Sequence, residues 1–161
     1  MHQNHETYIK VKGKWKYLYR AVDSDGDTID FMLSSKRDRK AAKRSLKKAL
    51  SSNHNQIPRV ITVDKNPAYP IAIHELENEK KLSESVEIRP VKYLNNIVEQ
   101  DHRSIKWIIA PMLGFQSFRS ASKTLKGIEA MSMIKKGQIN DLNYSVFNEV
   151  KYINHLLDIV L

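Results

Sequence analysis

Arg59-Val60-Ile61-Thr62-Val63-Asp64 is a β-branched run that ends on a carboxylate. From Val60 to Val63 it does not alternate between apolar and charged residues, so it reads as a strand covered on both faces. Upstream, Thr7–Val11 reads as a strand and Lys12-Gly13-Lys14 as a tight turn. Trp15–Val22 has the period of a strand, with Trp15, Tyr17, Tyr19 and Ala21 on one face. Asp23-Ser24-Asp25-Gly26 reads as a turn, and Thr28–Leu33 alternates again through Ile29, Phe31 and Leu33. From the N-cap candidate Asp38 to Leu50 a helical stripe follows: Ala41, Ala42, Leu46, Ala49 and Leu50, with Lys40, Lys43, Arg44, Lys47 and Lys48 outside it. Asn53–Ile57 is a polar link.

Downstream, Pro67 opens a helix that runs to about Glu79 and carries Ile71, Ala72 and Leu76 inward. Val86–Arg89 is a short strand, and Asn95–Ile109 is a helix with Ile97, Val98, Ile105 and Ile108 apolar. Pro111 and Gly114 break the chain before a helix over Ser120–Lys136, and Tyr144–Leu161 reads as helical through Val146, Val150, Ile153, Leu157 and Val160. The first three strands can pair as hairpins, while the later two need crossovers. The expectation is an α/β fold: a ribonuclease-H-like (integrase-type) mixed five-stranded sheet flanked by helices. Residues 1–136 form the core, and 137–161 a C-terminal helical extension of the same domain.

A chain of 161 residues suits one domain with a real core. The net charge of +9, from 27 basic and 18 acidic side chains, points to a polyanionic partner. Cysteine is absent, which excludes thiolate zinc sites, disulfides and cysteine nucleophiles and favours a reducing compartment. No apolar run approaches the roughly 18–20 residues of a membrane span, and Met1-His2-Gln3-Asn4 has no signal core. A cytoplasmic protein with no membrane partner is expected.

The chemistry is carried by two acids in unlike settings. Asp64 ends its strand, and Glu99 lies in the helical stretch Asn95-Asn96-Ile97-Val98-Glu99-Gln100-Asp101-His102-Arg103. A carboxylate at a strand's end and one on a helix face can share two divalent ions, an arrangement suited to in-line displacement at a phosphodiester. A third acid should come from an earlier strand. His102, Arg103 and Lys106 follow Glu99 at helical spacing and either contact phosphates or form a solvated basic face. The same two readings hold for Lys36, Arg37, Arg39, Lys40, Lys43, Arg44, Lys47 and Lys48. Asn95 or Asn96 serves as an N-cap or orients an attacking water. Asp23-Ser24-Asp25-Gly26-Asp27 superficially matches a calcium loop, but its glycine is misplaced and Ser34 stands where a Glu is needed, so it reads as a turn. Trp15, Tyr17 and Tyr19 read as core rather than as base-stacking residues. His2 with His5 makes a poor metal chelate on a terminus.

Thr7-Tyr8-Ile9-Lys10-Val11, Trp15-Lys16-Tyr17-Leu18-Tyr19-Arg20-Ala21-Val22-Asp23, Thr62-Val63-Asp64-Lys65-Asn66-Pro67-Ala68-Tyr69 and Tyr93-Leu94-Asn95-Asn96-Ile97-Val98-Glu99-Gln100-Asp101-His102 together resemble the DDE catalytic core of small, cointegrate-forming bacterial insertion-sequence transposases. Leu113-Gly114-Phe115-Gln116-Ser117-Phe118 and Gly127-Ile128-Glu129-Ala130-Met131 also resemble it, so the likeness runs from about Glu6 to the C-terminus. It implies that Asp64 is the second catalytic Asp and Glu99 the catalytic Glu, and that both are metal ligands. It implies a two-metal site for Mg2+ (or Mn2+), 3′-strand nicking by water, and attack of the freed 3′-hydroxyl on target DNA. DNA is the implied partner, as terminal inverted repeats and target, with Lys65, His102, Arg103 and Lys106 as contacts. A homo-oligomer or a pairing with intact transposase follows from the need to join two ends.

The likeness breaks upstream of Glu6. The family's first catalytic Asp falls at His5, a Trp three residues earlier falls at His2, and the family's N-terminal helix-turn-helix region is missing from this sequence. Imidazole is a softer, neutral ligand that prefers zinc, copper or nickel to magnesium. Impaired catalysis on an N-terminally truncated core is therefore expected. Asp23, diagonal to position 5 across the first hairpin, is a weak substitute, and Glu6 points to the opposite face. The rivals are a non-catalytic, DNA-binding or dimerising remnant that modulates an intact transposase, and a generic ribonuclease-H-type nuclease, which needs a further carboxylate.

Overall fold

The computed structural model describes residues 2–51, 58–83, 85–91 and 96–138, with side chains in the last segment from residue 102 onward. The elements are β1 (His2–Val11), β2 (Lys14–Val22), β3 (Thr28–Ser34), α1 (Arg39–Leu50), β4 (Val60–Asp64), α2 (Ala68–Asn78), β5 (Glu87–Val91), α3 (Asn96–Ile109), a 3-10 turn (Ala110–Met112) and α4 (Phe118–Lys135). The sheet runs β3-β2-β1-β4-β5. β1, β2 and β3 pair antiparallel, whereas β4 joins β1 and β5 in parallel. This is the mixed five-stranded arrangement expected from the order of strands and helices.

Period-two alternation sends the strands' side chains into two cores. Tyr19, Ile61 and Val63 pack with Ala42 and Leu46 of α1 and with Tyr69, Ala72 and Leu76 of α2. Ile9, Val11 and Leu18 pack on the other side with Ile105 of α3, Phe115, and Ala121 and Leu125 of α4. Asp38 caps α1, its carboxylate accepting from the Ala41 N–H at 2.8 Å. Asp38→Ala should therefore cost about 1 kcal/mol, read as a lower urea midpoint with unchanged slope. Ser117 and Ser120 form a reciprocal capping box at the head of α4, starting it at Phe118 rather than at Ser120.

Four further readings change. β1 starts at His2, well before Thr7, because Gln3, Asn4 and His5 are buried polar residues with no hydrophobic period yet all pair with β2, and Gln3 and Asn4 pair with β4 as well. β5 ends at Val91 and accommodates Pro90 because it is an edge strand. Ile71 is 49% exposed, and α2 buries Tyr69, Ala72, Ile73 and Leu76 instead. Trp15 is 59% exposed rather than core, while Tyr19 is fully buried. The Asn53–Ile57 link and the Tyr144–Leu161 helix lie outside the described residues, as does nearly all of the 137–161 extension.

Deep in the second core, Arg20 of β2 meets Glu129 of α4. The guanidinium donates from Nε to Oε1 at 2.6 Å and from Nη2 to Oε2 at 2.8 Å, and both side chains are wholly buried. Arg20 Nη2 also reaches Thr28 Oγ1 at 3.3 Å. This bidentate pair ties α4 to the sheet.

Candidate active site at the end of the central strands

The parallel ladder pairs His2 with Ile61, Gln3 with Thr62 and Asn4 with Val63. One further step along this register sets His5 beside Asp64. Asn4 faces α1, where its Oδ1 accepts from Ser45 Oγ at 3.4 Å. His5 therefore faces the opposite side, toward α3. Its ring lies edge-on to that of His102, with centroids 5.3 Å apart and planes at 83°. Glu99 lies one helical turn before His102 in α3. The backbone thus brings position 5, the end of β4 and the first half of α3 to one place.

His102 is 5% exposed, packed between α3 and β1, and so does not share the exposed surface of Arg103 and Lys106. Lys65, directly after Asp64, is exposed. Asp23 is not drawn into the site. Its Oδ1 accepts from the N–H groups of Asp25 and Asp27, both at 2.9 Å, as a turn residue does. The hairpin pairs His5 with Arg20, so Asp23 is not its diagonal neighbour: it lies past the Val22–Gln3 pair, roughly 10 Å along β1 from His5.

Asp64 instead meets a cation. Arg37 Nη2 lies 3.5 Å from Asp64 Oδ2, while Arg37 Nε is hydrogen-bonded to Glu6. Asn66 Nδ2 donates to Glu6 Oε1 at 2.8 Å, and its Oδ1 accepts from Ala68 N at 3.0 Å at the start of α2. Below this cluster, burial, reinforced by the Glu6 charge, pushes the phenols of Tyr69 and Tyr19 above their ordinary range, so both stay protonated. A cleft of about 490 Å³ lined by Asp64, Lys65, Pro70 and Ile88 opens alongside. In the sequence, Arg37 and Asn66 are not separable from a basic run and a turn; Glu6 lies on the face opposite position 5, as strand alternation requires.

Among the described residues no group of three or more His, Asp or Glu is placed to hold a metal ion. The described donors at this site are one carboxylate, Asp64, facing a guanidinium, and two imidazoles packed against each other. Magnesium takes hard oxygen ligands in near-octahedral geometry. These donors do not fit a pair of magnesium ions.

The basic run around α1 divides into paired and unpaired cations. Lys43 bridges Glu75 and Glu79 at 2.7 Å each, Arg39 meets Glu75 at 3.0 Å, and Lys48 meets Asp30. Lys36, Lys40, Arg44 and Lys47 are exposed and make no ion pair among the described residues. Hydrogen bonds from Lys43 and Lys81 bring Glu79 down to about 2, and the hydrogen bond from Lys43 also lowers Glu75. Depressed carboxyls stabilise the fold above their unfolded value of 4.5, and that contribution fades as pH falls toward about 2. Lys43→Met should flatten this acid dependence, seen as urea midpoints that vary less with pH across that window.

A family model for the DDE domain of IS240-type transposases matches residues 2–138. The transposase for an IS431mec insertion sequence-like element of Staphylococcus aureus is 36% identical over 152 residues, 94% of this chain. The chain spans 65% of that relative's length. Among solved structures, the HTLV-2 integrase catalytic core domain in complex with magnesium superposes with a TM-score of 0.57 at 17% identity, covering 90% of this chain and 88% of that one. The catalytic core domain of BIV integrase gives 0.54 at 12% identity, covering 97% and 96%. These two likenesses show the fold, the integrase-type arrangement expected from the sequence. By the family match and the staphylococcal relative, this chain belongs to the DDE transposase domain family.

Proposed function

We propose that this chain is the catalytic-domain portion of an insertion-sequence transposase that binds DNA in a bacterial cytoplasm and whose strand chemistry is impaired at position 5. The observation that carries this reading is the ladder that ends on Asn4 and Val63, one residue short of His5 and Asp64, with the His5 ring against the helix bearing Glu99. Asp64 and Glu99 are the two acids left to hold metal, and an imidazole stands where a third hard oxygen donor is needed. The exposed side chains of Lys65, Arg103 and Lys106 flank this region and supply phosphate contacts to terminal repeat and target DNA. No described helix is long and apolar enough to cross a membrane.

Two measurements test the proposal. Binding of duplex DNA should weaken steeply with salt, and Lys65→Ala, Arg103→Ala and Lys106→Ala should each reduce the log–log slope by about 0.9, the share of one neutralised phosphate. A flat salt response would remove the nucleic-acid role. Cleavage of the element's end in magnesium should stay at background; cleavage abolished by Asp64→Asn would show the site intact. His5 also favours a second reading, a non-catalytic remnant that pairs or competes with an intact transposase. Co-expression with a full-length relative should then lower transposition, and unchanged transposition rejects that reading.

A further inference from the structure

We infer that the free face of the β1–β2 hairpin is a stacking platform for unpaired DNA bases, extending the DNA path away from Asp64. This rests on the proposed DNA-binding role. β4 pairs with β1 only as far as Asn4, so the hairpin beyond it projects past the end of the central strands. One of its faces is sealed: Ile9 and Val11 are buried, and Phe115 closes over them, its carbonyl oxygen accepting from Lys12 N at 2.7 Å and its N–H donating to Lys10 O at 2.9 Å. The other face is open and aromatic. Tyr8 lies edge-on to Tyr17 at 5.5 Å and to Trp15 at 6.3 Å, and Lys10 Nζ sits 6.0 Å from the Trp15 ring. Tyr8 is 47% and Trp15 59% exposed.

Charge selects the occupant. Lys10 sits against the Trp15 ring and Lys12 follows at the hairpin's tip; both are exposed and make no ion pair among the described residues, whereas Lys14 pairs with Val11 on the other face. An apolar segment laid here would strip water from these ammonium groups with nothing to neutralise them. A single strand satisfies both features, because its phosphates meet the lysines while its bases stack on the rings. The platform lies on the α1 side of the sheet, opposite the His5 ring, and reaches Asp64 through one chain of contacts. Tyr8 stands two residues, roughly 7 Å, beyond Glu6 on β1, and Glu6 is joined through Arg37 to Asp64.

Trp15 and Trp107 are the only tryptophans, so a Trp107→Phe version of the whole chain leaves Trp15 as the sole indole emitter. Titrating it with a short oligothymidylate should quench that emission. Trp15→Ala or Tyr8→Ala should weaken single-strand affinity by about 5- to 100-fold while leaving the salt slope and duplex affinity little changed. Trp15→Phe should retain most of the affinity, and matching circular dichroism shows that the exposed substitutions fold. Unchanged single-strand affinity in Trp15→Ala overturns the inference, as does a Trp15→Ala variant whose only change is reduced self-association in sedimentation. If duplex binding persists through Lys65, Arg103 and Lys106 in those cases, the proposed function stands without the platform. If neither form of DNA binds at low salt, the function and the platform fall together.

Discussion

Glu129→Ala should destabilise the domain by about 3–5 kcal/mol, a large part of the stability of any domain this size. The reason is asymmetry. Arg20 and Glu129 are both fully shielded from water and joined by two short hydrogen bonds, so removing the carboxylate takes a bidentate anionic acceptor away from a buried guanidinium. Arg20 has Thr28 Oγ1 at 3.3 Å as a further acceptor, but a neutral hydroxyl cannot replace an anion. The informative partner variant is Arg20→Met with Glu129→Leu. Replacing both charges with apolar groups of similar bulk should return much of the loss, because the pair is worth far less than either ion is costly alone. Guanidinium denaturation of the single and double variants checks both statements. If Glu129→Ala costs less than about 1 kcal/mol, water reaches this layer and the pair does not fasten α4 to the sheet.

The same pair illustrates what the sequence carries. Arg20 and Glu129 are each readable as members of family-like stretches, but neither stretch names its partner, since they meet across more than one hundred residues. Elements with a clean period are legible: the alternation of β2 and β3, the stripe of α1 and the uninterrupted β4 all emerge at nearly their observed limits. The first half of β1 is not, because Gln3 and Asn4 gain their strand conformation from pairing on both sides, and His5 from pairing with β2, rather than from any pattern of their own. Within the candidate site, Asp64 stands out because a β-branched run ends on it. The Arg37–Glu6–Asn66 cluster stays hidden because it is assembled from three separate elements. Spacing alone puts His102 on the wet face. The packing of its ring against His5 turns it inward, and that contact depends on where α3 crosses the sheet. Trp15 departs from expectation in the opposite sense, since strand alternation predicts a shared face but not whether anything covers it.

His5→Asp is the substitution with the largest expected gain. It should let magnesium stabilise the chain more than it stabilises the parent, and raise strand cleavage by about 100- to 1,000-fold or more, the scale of restoring one charge-stabilising group in such a site. The imidazole it removes is only 3% exposed, and the new carboxylate would stand one ladder step from Asp64. Two carboxylates that close cannot both ionise easily without a cation, so one should titrate well above the ordinary range and the metal-free variant should melt below the parent. Its contribution has the opposite sign to that of the Glu79 ion pair: with its folded value raised, ionisation above its unfolded value destabilises the native state, so the deficit widens as pH rises until the folded group has ionised too. Magnesium reverses this by supplying the counter-charge, and saturating the site at one hundred times its dissociation constant should recover about 2.7 kcal/mol. Thermal melts with and without magnesium, for the parent, His5→Asp and His5→Asn, separate the causes. His5→Asn removes the ring without adding an anion and should show no metal response, while Asp64→Asn added to His5→Asp should erase both the shift and the cleavage. A His5→Asp variant that melts like the parent in magnesium and leaves terminal-repeat DNA uncut would mean that position 5 does not face the metal side of the strand. The proposed impairment would then not lie at position 5.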